Sequence, residues 1–595
     1  MIRKLVRQML TAQVFSALTV SLCLLIDSIM ISRFLHEDGI AAYGLANPLL
    51  LAIGAIGTLL AAGIQVVCSR ALGRGSQEEA NAGYSSAIAV TLAISLTFTA
   101  AVVLFRNLLA QAMGAGDSGI LFKYTADYLM GYSLGAPGSV GALVLVPFLQ
   151  MAGQSKLLIA AVATMTVTDI GLDILNALVL KWGMFGMGLA SALSYYAAMV
   201  VAMTYFLSRD SVFRFSRKGV SMSRIRELFR SGIPAGANMA ASVILVFLMN
   251  RLLRALGAAD GGTYLLAAYT VIMSIGNTAN CITTGIGGVS LTLCGIFFHE
   301  EDRTALRESV KLLCIRGVFL GIAVGVLLII FAPPLIGLFI AEAGPAQQAG
   351  ILGLRLFAAG LIPCCINNAL KYAYQGMGRN GLTVTISLLE GTVFPILAAF
   401  VLSRFIHATG AWLGFAVGEI LMLLAAGLLI LRKTGKKPWE DDAFLLLKRD
   451  FGAAKDQTLE MNITSMEEVA AAAQSAEQFC MERGQDERIS KHISLCIEEM
   501  AGNVISHGFA DDKGHHLSVR LLNKEDRWVL RFRDDCRAFN PVNYVPASNE
   551  DAIGIRLVMA LAGEVHYTYS MNLNNLALIL PKQDGRESAE VGQNA

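Results

Sequence analysis

Three aspartates sit where charge is expensive. Asp27 falls in the middle of one long apolar run, and Asp169 and Asp173 fall four residues apart in another, so a helix places that pair on one face about one turn apart. Carrying an ionisable group in a lipid-spanning helix costs about 2.5–3.5 kcal/mol on insertion scales, which makes each such residue a functional candidate. With the hydroxyl of Ser191 in the next apolar run, oxygen ligands of this kind suit a hard cation such as sodium, or a proton shared between carboxylates. A second constellation lies near the carboxyl end, where Glu499, Asn503 and His507 recur at four-residue steps in a helical pattern. On such a face a carboxylate positions water and an amide oxygen holds magnesium. The ten cysteines carry no comparable message: they are scattered without CxxC spacing, Cys364 and Cys365 being the one adjacent pair, and read as small buried hydrophobes. No GxxxxGK[ST] phosphate loop occurs, so the chain does not read as an ABC-type pump.

Composition dictates what must position these residues. The chain has 595 residues, 55% hydrophobic and 15% charged, with a mean hydropathy of +0.57, whereas soluble domains carry about 25% charged residues. Lipid is the solvent for most of it. Apolar runs of about 20 residues, each enough to cross roughly 30 Å of hydrocarbon, predict twelve helices near 13–33, 46–69, 86–106, 122–150, 157–180, 184–207, 232–256, 264–296, 313–340, 349–375, 380–403 and 410–431. The first run follows Met1-Ile-Arg-Lys-Leu-Val-Arg7 and continues past Ala17 to Ile31 without a small-residue cleavage site, which reads as a retained helix rather than a signal peptide.

Orientation follows from the loops. Arg70, Arg74, Lys156, the cluster from Arg209 to Arg230, Arg303, Arg307, Lys311, Arg379 and Arg432 to Lys437 all fall on one side. The excess of Lys and Arg predicts that both termini and the middle loop are cytoplasmic in a multi-pass plasma-membrane protein. The net charge is only +2, and the basic residues lie between apolar runs, so no nucleic-acid partner is expected. The membrane part also reads as doubled. Ala46 and Gly63-Ile64 are spaced like Ala268 and Gly285-Ile286, and Gly186-x-Gly188-x-Ala190 matches Gly414-x-Ala416-x-Gly418. The expectation is two six-helix lobes, about 1–215 and 225–437, related as parallel repeats with a substrate path between them.

Past Lys437-Pro438 the composition turns charged. A linker over 438–455 leads into a domain over 456–584, followed by a disordered tail at 585–595. That domain shows helical stretches near 465–482 and 486–508, then strand-like alternation at His516-Leu-Ser-Val-Arg-Leu-Leu522 and Arg527-Trp-Val-Leu-Arg-Phe532.

Two resemblances follow from these residues. Ala46-Asn-Pro48, Arg70-Ala-Leu-Gly-Arg-Gly75 with Glu79-Ala80, Gly153-Gln154, Asp169-Ile-Gly-Leu-Asp173, Gly186-Met-Gly-Leu-Ala190-Ser191, Gly232-Ile-Pro234, Gln375-Gly-Met-Gly-Arg379 and Gly414 with Glu419 occur in an order that resembles the multidrug and toxic compound extrusion (MATE) transporters. The resemblance implies cation-coupled export of small organic, cationic molecules by two rocking lobes. It also implies a Na+ or H+ coupling site at Asp27, Asp173 and Ser191, with Asp169 standing where the family usually has asparagine. Other members place acids in helices seven and ten, where this chain has Asn238, Asn250, Asn367, Asn368 and Lys371, which argues against a cation site in the second lobe.

In the soluble part, Glu499 to Gly508, Asp534-Asp-Cys-Arg-Ala-Phe539, Ala552-Ile-Gly554 and Asn575-Leu-Ala-Leu578 resemble the GHKL nucleotide-binding domain, most closely its anti-sigma-factor serine kinase branch. That resemblance implies ATP and Mg2+ as ligands, Glu499 as base, Asn503 on magnesium and Asp534 on the adenine amino group, with His507, Phe539, Gly554 and Asn575 around the nucleotide. Cys536 and Ala552 stand where that family has glycines. The implied fold is an all-α polytopic membrane bundle of twelve transmembrane helices in two six-helix lobes, followed by a two-layer α/β (Bergerat) cytoplasmic domain. Three readings of function follow: an antiporter with a regulatory ATP-binding domain that acts on a cytoplasmic protein partner, a membrane receptor that signals through that domain, and a flippase for lipid-linked precursors.

Overall fold

In lipid every backbone polar group must be satisfied within its own segment, so long runs of Leu, Ala, Val and Ile with few breakers fold as helices. The computed structural model describes residues 2–113, 115, 119–208, 211–259, 264–340, 344–448, 451–452, 455–509, 514–544 and 553–582, with side chains between 19 and 48 and between 247 and 267 described only in part. The membrane helices are α1 (Ile2–Gly73), α2 (Gln77–Ala112), α3 (Ile120–Ser133), α4 (Ala136–Met151), α5 (Ser155–Leu175), α6 (Gly183–Phe206), α7 (Met222–Ala259), α8 (Tyr264–Ala279), α9 (Cys281–His299), α10 (Arg303–Gly337), α11 (Pro345–Ala359), α12 (Leu361–Gly376), α13 (Asn380–Leu388) and α14 (Phe394–Thr434).

Among the described residues eight helical units are long and apolar enough to cross a bilayer, and two bent pairs, α3 with α4 at 47° and α11 with α12 at 45°, each add one more. The difference from twelve is partly one of continuity, and the first predicted run falls largely among residues 19–48, whose side chains are described only in part. The unit Asn380–Thr434 runs for 55 residues, more than twice what roughly 30 Å of hydrocarbon requires at about 1.5 Å per residue. It breaks helical geometry at Ile406 and His407 and covers the last two predicted runs. α1, at 72 residues, likewise covers the first two. The bends inside the predicted fourth and tenth helices fall at Gly135 and Gly360, just before Pro137 and Pro363, which cannot donate to the helical ladder.

Small residues let helices approach backbone to backbone. A Cβ built at Gly418 would lie 2.7 Å from Pro395 Cα, and one at Gly414 would lie 2.5 Å from the Ala399 side chain, so the two arms of the Asn380–Thr434 unit fold against each other. The lobes meet in the same way on the side that carries the soluble domain. Side chains at Gly63 and Gly232 would collide with the carbonyls of Leu228 and Leu59 respectively, a reciprocal crossing of α1 and α7. Ion pairs between Arg70 and Glu227 (3.1 Å) and between Arg224 and Glu79 (3.4 Å) span the same seam.

The segment expected to be a linker is strapped down where it is described. Leu445 is buried in the second lobe's core, and the carbonyls of Phe444, Leu445 and Leu446 accept from Tyr374 and Arg379. The soluble domain consists of β1 (Thr458–Ile463), α15 (Met466–Met481), α16 (Glu487–Asn503), β2 (Leu517–Asn523), β3 (Arg527–Asp534), α17 (Ile553–Leu561), β4 (Glu564–Ser570) and β5 (Leu573–Pro581). The sheet is antiparallel throughout, in the order β1-β2-β3-β5-β4. Its inner face, with Val519, Leu521, Leu530, Phe532 and Leu578, packs on Ile493, Ile497 and Val558 of the helices. Period-2 alternation sends Arg520, Arg531, Arg533 and Asn575 to the outer face. Ala552 and the expected tail from Gly585 both lie outside the described residues.

Candidate functional site

In the first lobe Asp169 and Asp173 are 4% and 1% exposed and lie one turn apart on α5, while Ser191 is buried on α6. The two helices pack along their length. Their connection is pinned by Asn176, whose amide donates to the Gly183 carbonyl (3.1 Å) and accepts from the Trp182 N–H (3.1 Å). Directly after Asp173 the helix widens into a π turn over Asn176–Leu180, a distortion that recurs at functional positions. The side chain of Asp27 lies outside the described residues.

The second lobe holds a cluster that the sequence reading did not assemble. Lys371 Nζ on α12 lies 2.9 Å from Glu390 Oε2 and 3.3 Å from Asn238 Oδ1. Asn368 donates to Glu390 Oε1 (3.1 Å), and Asn367 donates to Glu419 Oε2 (2.8 Å). Donor atoms of Cys364, Glu390 and Glu419 fall within 4.8 Å of one another. Asn367, Asn368 and Lys371, which stand in place of acids on helix ten, thus meet carboxylates brought by the two helices that follow, and Asn238 of helix seven meets Lys371. Glu390 lies in a π turn, Leu389–Val393, as Asn176 does in the first lobe. Within the repeated Gly-x-small-x-small pattern, Glu419 occupies the position of Ser191. The signal was available: Glu390 and Glu419 are ionisable residues inside apolar runs, as Asp27 is.

In the soluble domain a cavity of about 760 Å³ is lined by Asn503, His507, Asp534, Cys536, Phe539 and Asn574, among others, within the range of about 300–1,000 Å³ usual for small-molecule sites. α16 ends at Asn503 and opens into a π turn over Val504–Gly508, so His507 is not on a regular continuation of the Glu499 and Asn503 face, although it still lines the cavity. Gly554, at the start of α17, has Glu499 against it so closely that a Cβ would collide with the carboxylate. Asn575, expected at the nucleotide, is on the opposite face of β5, where it accepts from Arg533 Nε (2.7 Å). Its neighbour Asn574 occupies the cavity and donates to Asp534 Oδ1 (2.7 Å) while accepting from Tyr567 and the Phe539 N–H. The period of a strand is two, so a one-residue misreading changes face.

A buried carboxylate beside an amide-rich wall suits an adenine amino group, and Asn503, which lines the same cavity, is the residue that would hold a magnesium ion accompanying the phosphates. Burial pushes the Asp534 carboxyl above the usual range, against the opposing effect of the Asn574 amide and the Cys536 N–H. Protonation removes the acceptor. ATP binding to the purified full chain is therefore expected to weaken as the pH falls from 7 toward that raised value, and Asp534→Asn is expected to cost about tenfold or more in affinity by calorimetry, the worth of one charge-assisted hydrogen bond. Equal affinity in the variant removes Asp534 from this role.

Comparison with known proteins covers both parts of the chain. The MatE family profile matches residues 13–175 and 234–401, and the profile described as histidine kinase-like ATPase domain matches residues 464–580. Multidrug export protein MepA of Staphylococcus saprophyticus is 22% identical over 399 residues, covering 66% of this chain and 85% of that protein. Probable multidrug resistance protein NorM of Pseudomonas putida is 26% identical over 353 residues, covering 56% and 72%. A solved multidrug resistance MATE family transporter of the MOP superfamily, in an outward-facing conformation, superposes with a TM-score of 0.64 at 20% identity, covering 71% of this chain and 94% of that one.

Proposed function

Because this chain belongs to the MATE family, with a histidine kinase-like ATPase domain at its carboxyl end, we propose that it exports small organic cations in exchange for Na+ or H+ across the plasma membrane, under the control of that domain on the cytoplasmic side. The burial of Asp169 and Asp173 one turn apart on a membrane helix carries the reading. Two carboxylates in a low-dielectric site need a cation or a proton to balance them, and the balance changes with whichever side has access. Entry of the cation from outside favours one facing state of the lobes and release of the exported molecule follows. Each charge that moves down 100 mV supplies about 2.3 kcal/mol, so one or two cations suffice for a substantial concentration ratio.

The coupling residues in this reading are Asp27, Asp169, Asp173 and Ser191. In proteoliposomes with an imposed sodium or proton gradient, Asp27→Asn and Asp173→Asn are each expected to lower cation-driven efflux at least tenfold. Efflux that persists in both variants and still follows the cation gradient would remove them from coupling.

A further inference from the structure

One short turn of the soluble domain meets both lobes. Hairpin β4–β5 closes through Ser570-Met571-Asn572-Leu573, with Met571 and Asn572 both in the left-handed region at φ +56° and +60°. This is the backbone of a type I′ turn, which favours Asn-Gly, and methionine is a poor occupant of its first central position. The methionine side chain supplies the reason for its presence. Met571 and Leu573 are buried in the same apolar cluster as Leu293, Ile296, Phe297 and Leu306 of the second lobe. The polar groups of the same turn bind the first lobe: the Met571 N–H donates to the Met151 carbonyl (2.6 Å), and the Asn572 amide donates to the Gly153 carbonyl (3.0 Å). The turn therefore sits in the seam between the lobes, its apolar side chains in a cluster built mostly by the second lobe, with Leu5, Val6 and Met9 of α1 also in it, and its polar groups on the first.

The surrounding contacts repeat the division. Arg533 pairs with Glu300 and Asp302, Arg520 pairs with Asp302 (2.9 Å), and Lys524 pairs with Glu301, all on the α9–α10 connection of the second lobe. Toward the first lobe, His566 lies against Gly75, where an added Cβ would come within 2.7 Å of the His566 Cβ. One pair in from the turn, Asn574 is hydrogen-bonded to Asp534 inside the ligand cavity, so only Leu573 separates the turn from the residue that holds the cavity's acceptor.

We propose that the Met571-Asn572 turn is a wedge that fastens the two lobes together on the face that carries the soluble domain, and that a ligand which takes Asp534 from Asn574 loosens the hairpin and frees that face to open. The ligand half rests on the nucleotide reading of the cavity; the wedge half does not. The lobes cannot part on this side while one turn is buried in the second and hydrogen-bonded to the first, because either movement exposes Met571 or breaks the bonds to Met151 and Gly153. An adenine amino group that donates to Asp534 competes with the Asn574 amide for the same oxygen.

Hydrogen exchange on the full chain in nanodiscs, paired with ethidium flux in proteoliposomes under a cation gradient, tests the wedge. Met571→Asp and Arg533→Glu are expected to raise exchange severalfold in both 151–155 and 296–304 and to speed flux severalfold, and Arg533→Glu combined with Glu300→Arg is expected to restore both. Asn572→Gly, which keeps the turn and removes only the side-chain bond to Gly153, provides a milder variant if the others misfold. Unchanged exchange in correctly folded variants, or flux no faster than that of the parent, overturns the wedge. Calorimetric binding of Mg-ATP without a rise in exchange overturns the ligand half alone, and absence of binding refutes the nucleotide reading while the wedge stands or falls on the variants.

Discussion

Lys371→Met is expected to destabilise the second lobe by about 3–5 kcal/mol, the cost of leaving a buried charge without its partner. Lys371 and Glu390 are 4% and 6% exposed at the side chain and form an ion pair at 2.9 Å, and Glu419 brings a second carboxylate within 4.8 Å of the first. Without the ammonium, two carboxylates face each other in a medium of low dielectric with only asparagine amides to balance them. The asymmetry of such pairs gives the control. Lys371→Met combined with Glu390→Gln removes both charges and is expected to recover most of the loss, since a buried pair replaced by neutral groups of similar volume is often close to neutral. Thermal unfolding in detergent, followed on all three variants, measures it. A single variant within about 0.5 kcal/mol of the parent would show that the pair has little structural weight.

Gly63→Val is expected to stop the lobes from closing on the side of the soluble domain and to lower transport tenfold or more. The obstacle is backbone rather than a movable side chain: any Cβ at Gly63 strikes the Leu228 carbonyl, and Gly232 stands in the same relation to Leu59. Valine there can be accommodated only by parting α1 from α7 along the crossing that Arg70, Glu227, Arg224 and Glu79 also span. The readout is the reactivity of Ser69→Cys, buried on α1 against Gly295 of α9 in the second lobe, toward a membrane-impermeant maleimide on a background lacking the native cysteines. Labelling is expected to rise at least tenfold with Gly63→Val and by less, in the same direction, with Gly63→Ala. Labelling and flux equal to those of the parent would mean that the seam opens and closes elsewhere.

Much of the architecture was legible because its causes are local. Lipid forces continuous helix onto each apolar run, and alternation at 516–522 and 527–532 marks β2 and β3. What could not be read locally was pairing across distance. Lys371 and Asn368 meet Glu390 across 19 and 22 residues, and Asn367 meets Glu419 across 52, so no window that shows one partner shows its reason. The bends at Gly135 and Gly360 depend on packing as much as on the nearby prolines. Arg520, Arg531 and Arg533 alternate with apolar residues, and Arg520 is only 7% exposed because it meets Asp302 on a loop of the other domain, a partner far away in the sequence. Asn575 was placed in the cavity in error by one position, since nothing in Asn574-Asn575 distinguishes two identical side chains whose strand turns them to opposite faces.

That pair of asparagines limits how this chain can be edited. β5 addresses the ligand cavity with one parity of residues and the transporter lobes with the other, so an insertion or deletion of a single residue between Leu573 and Leu576 would exchange the two surfaces along the rest of the strand. Length changes there are tolerable only in steps of two. By the same reasoning the domain is not a portable module: a free-standing relative grafted in its place would bring a cavity, but its outer surface would lack the arginines and the buried methionine turn, and it would hang from the transporter without touching it.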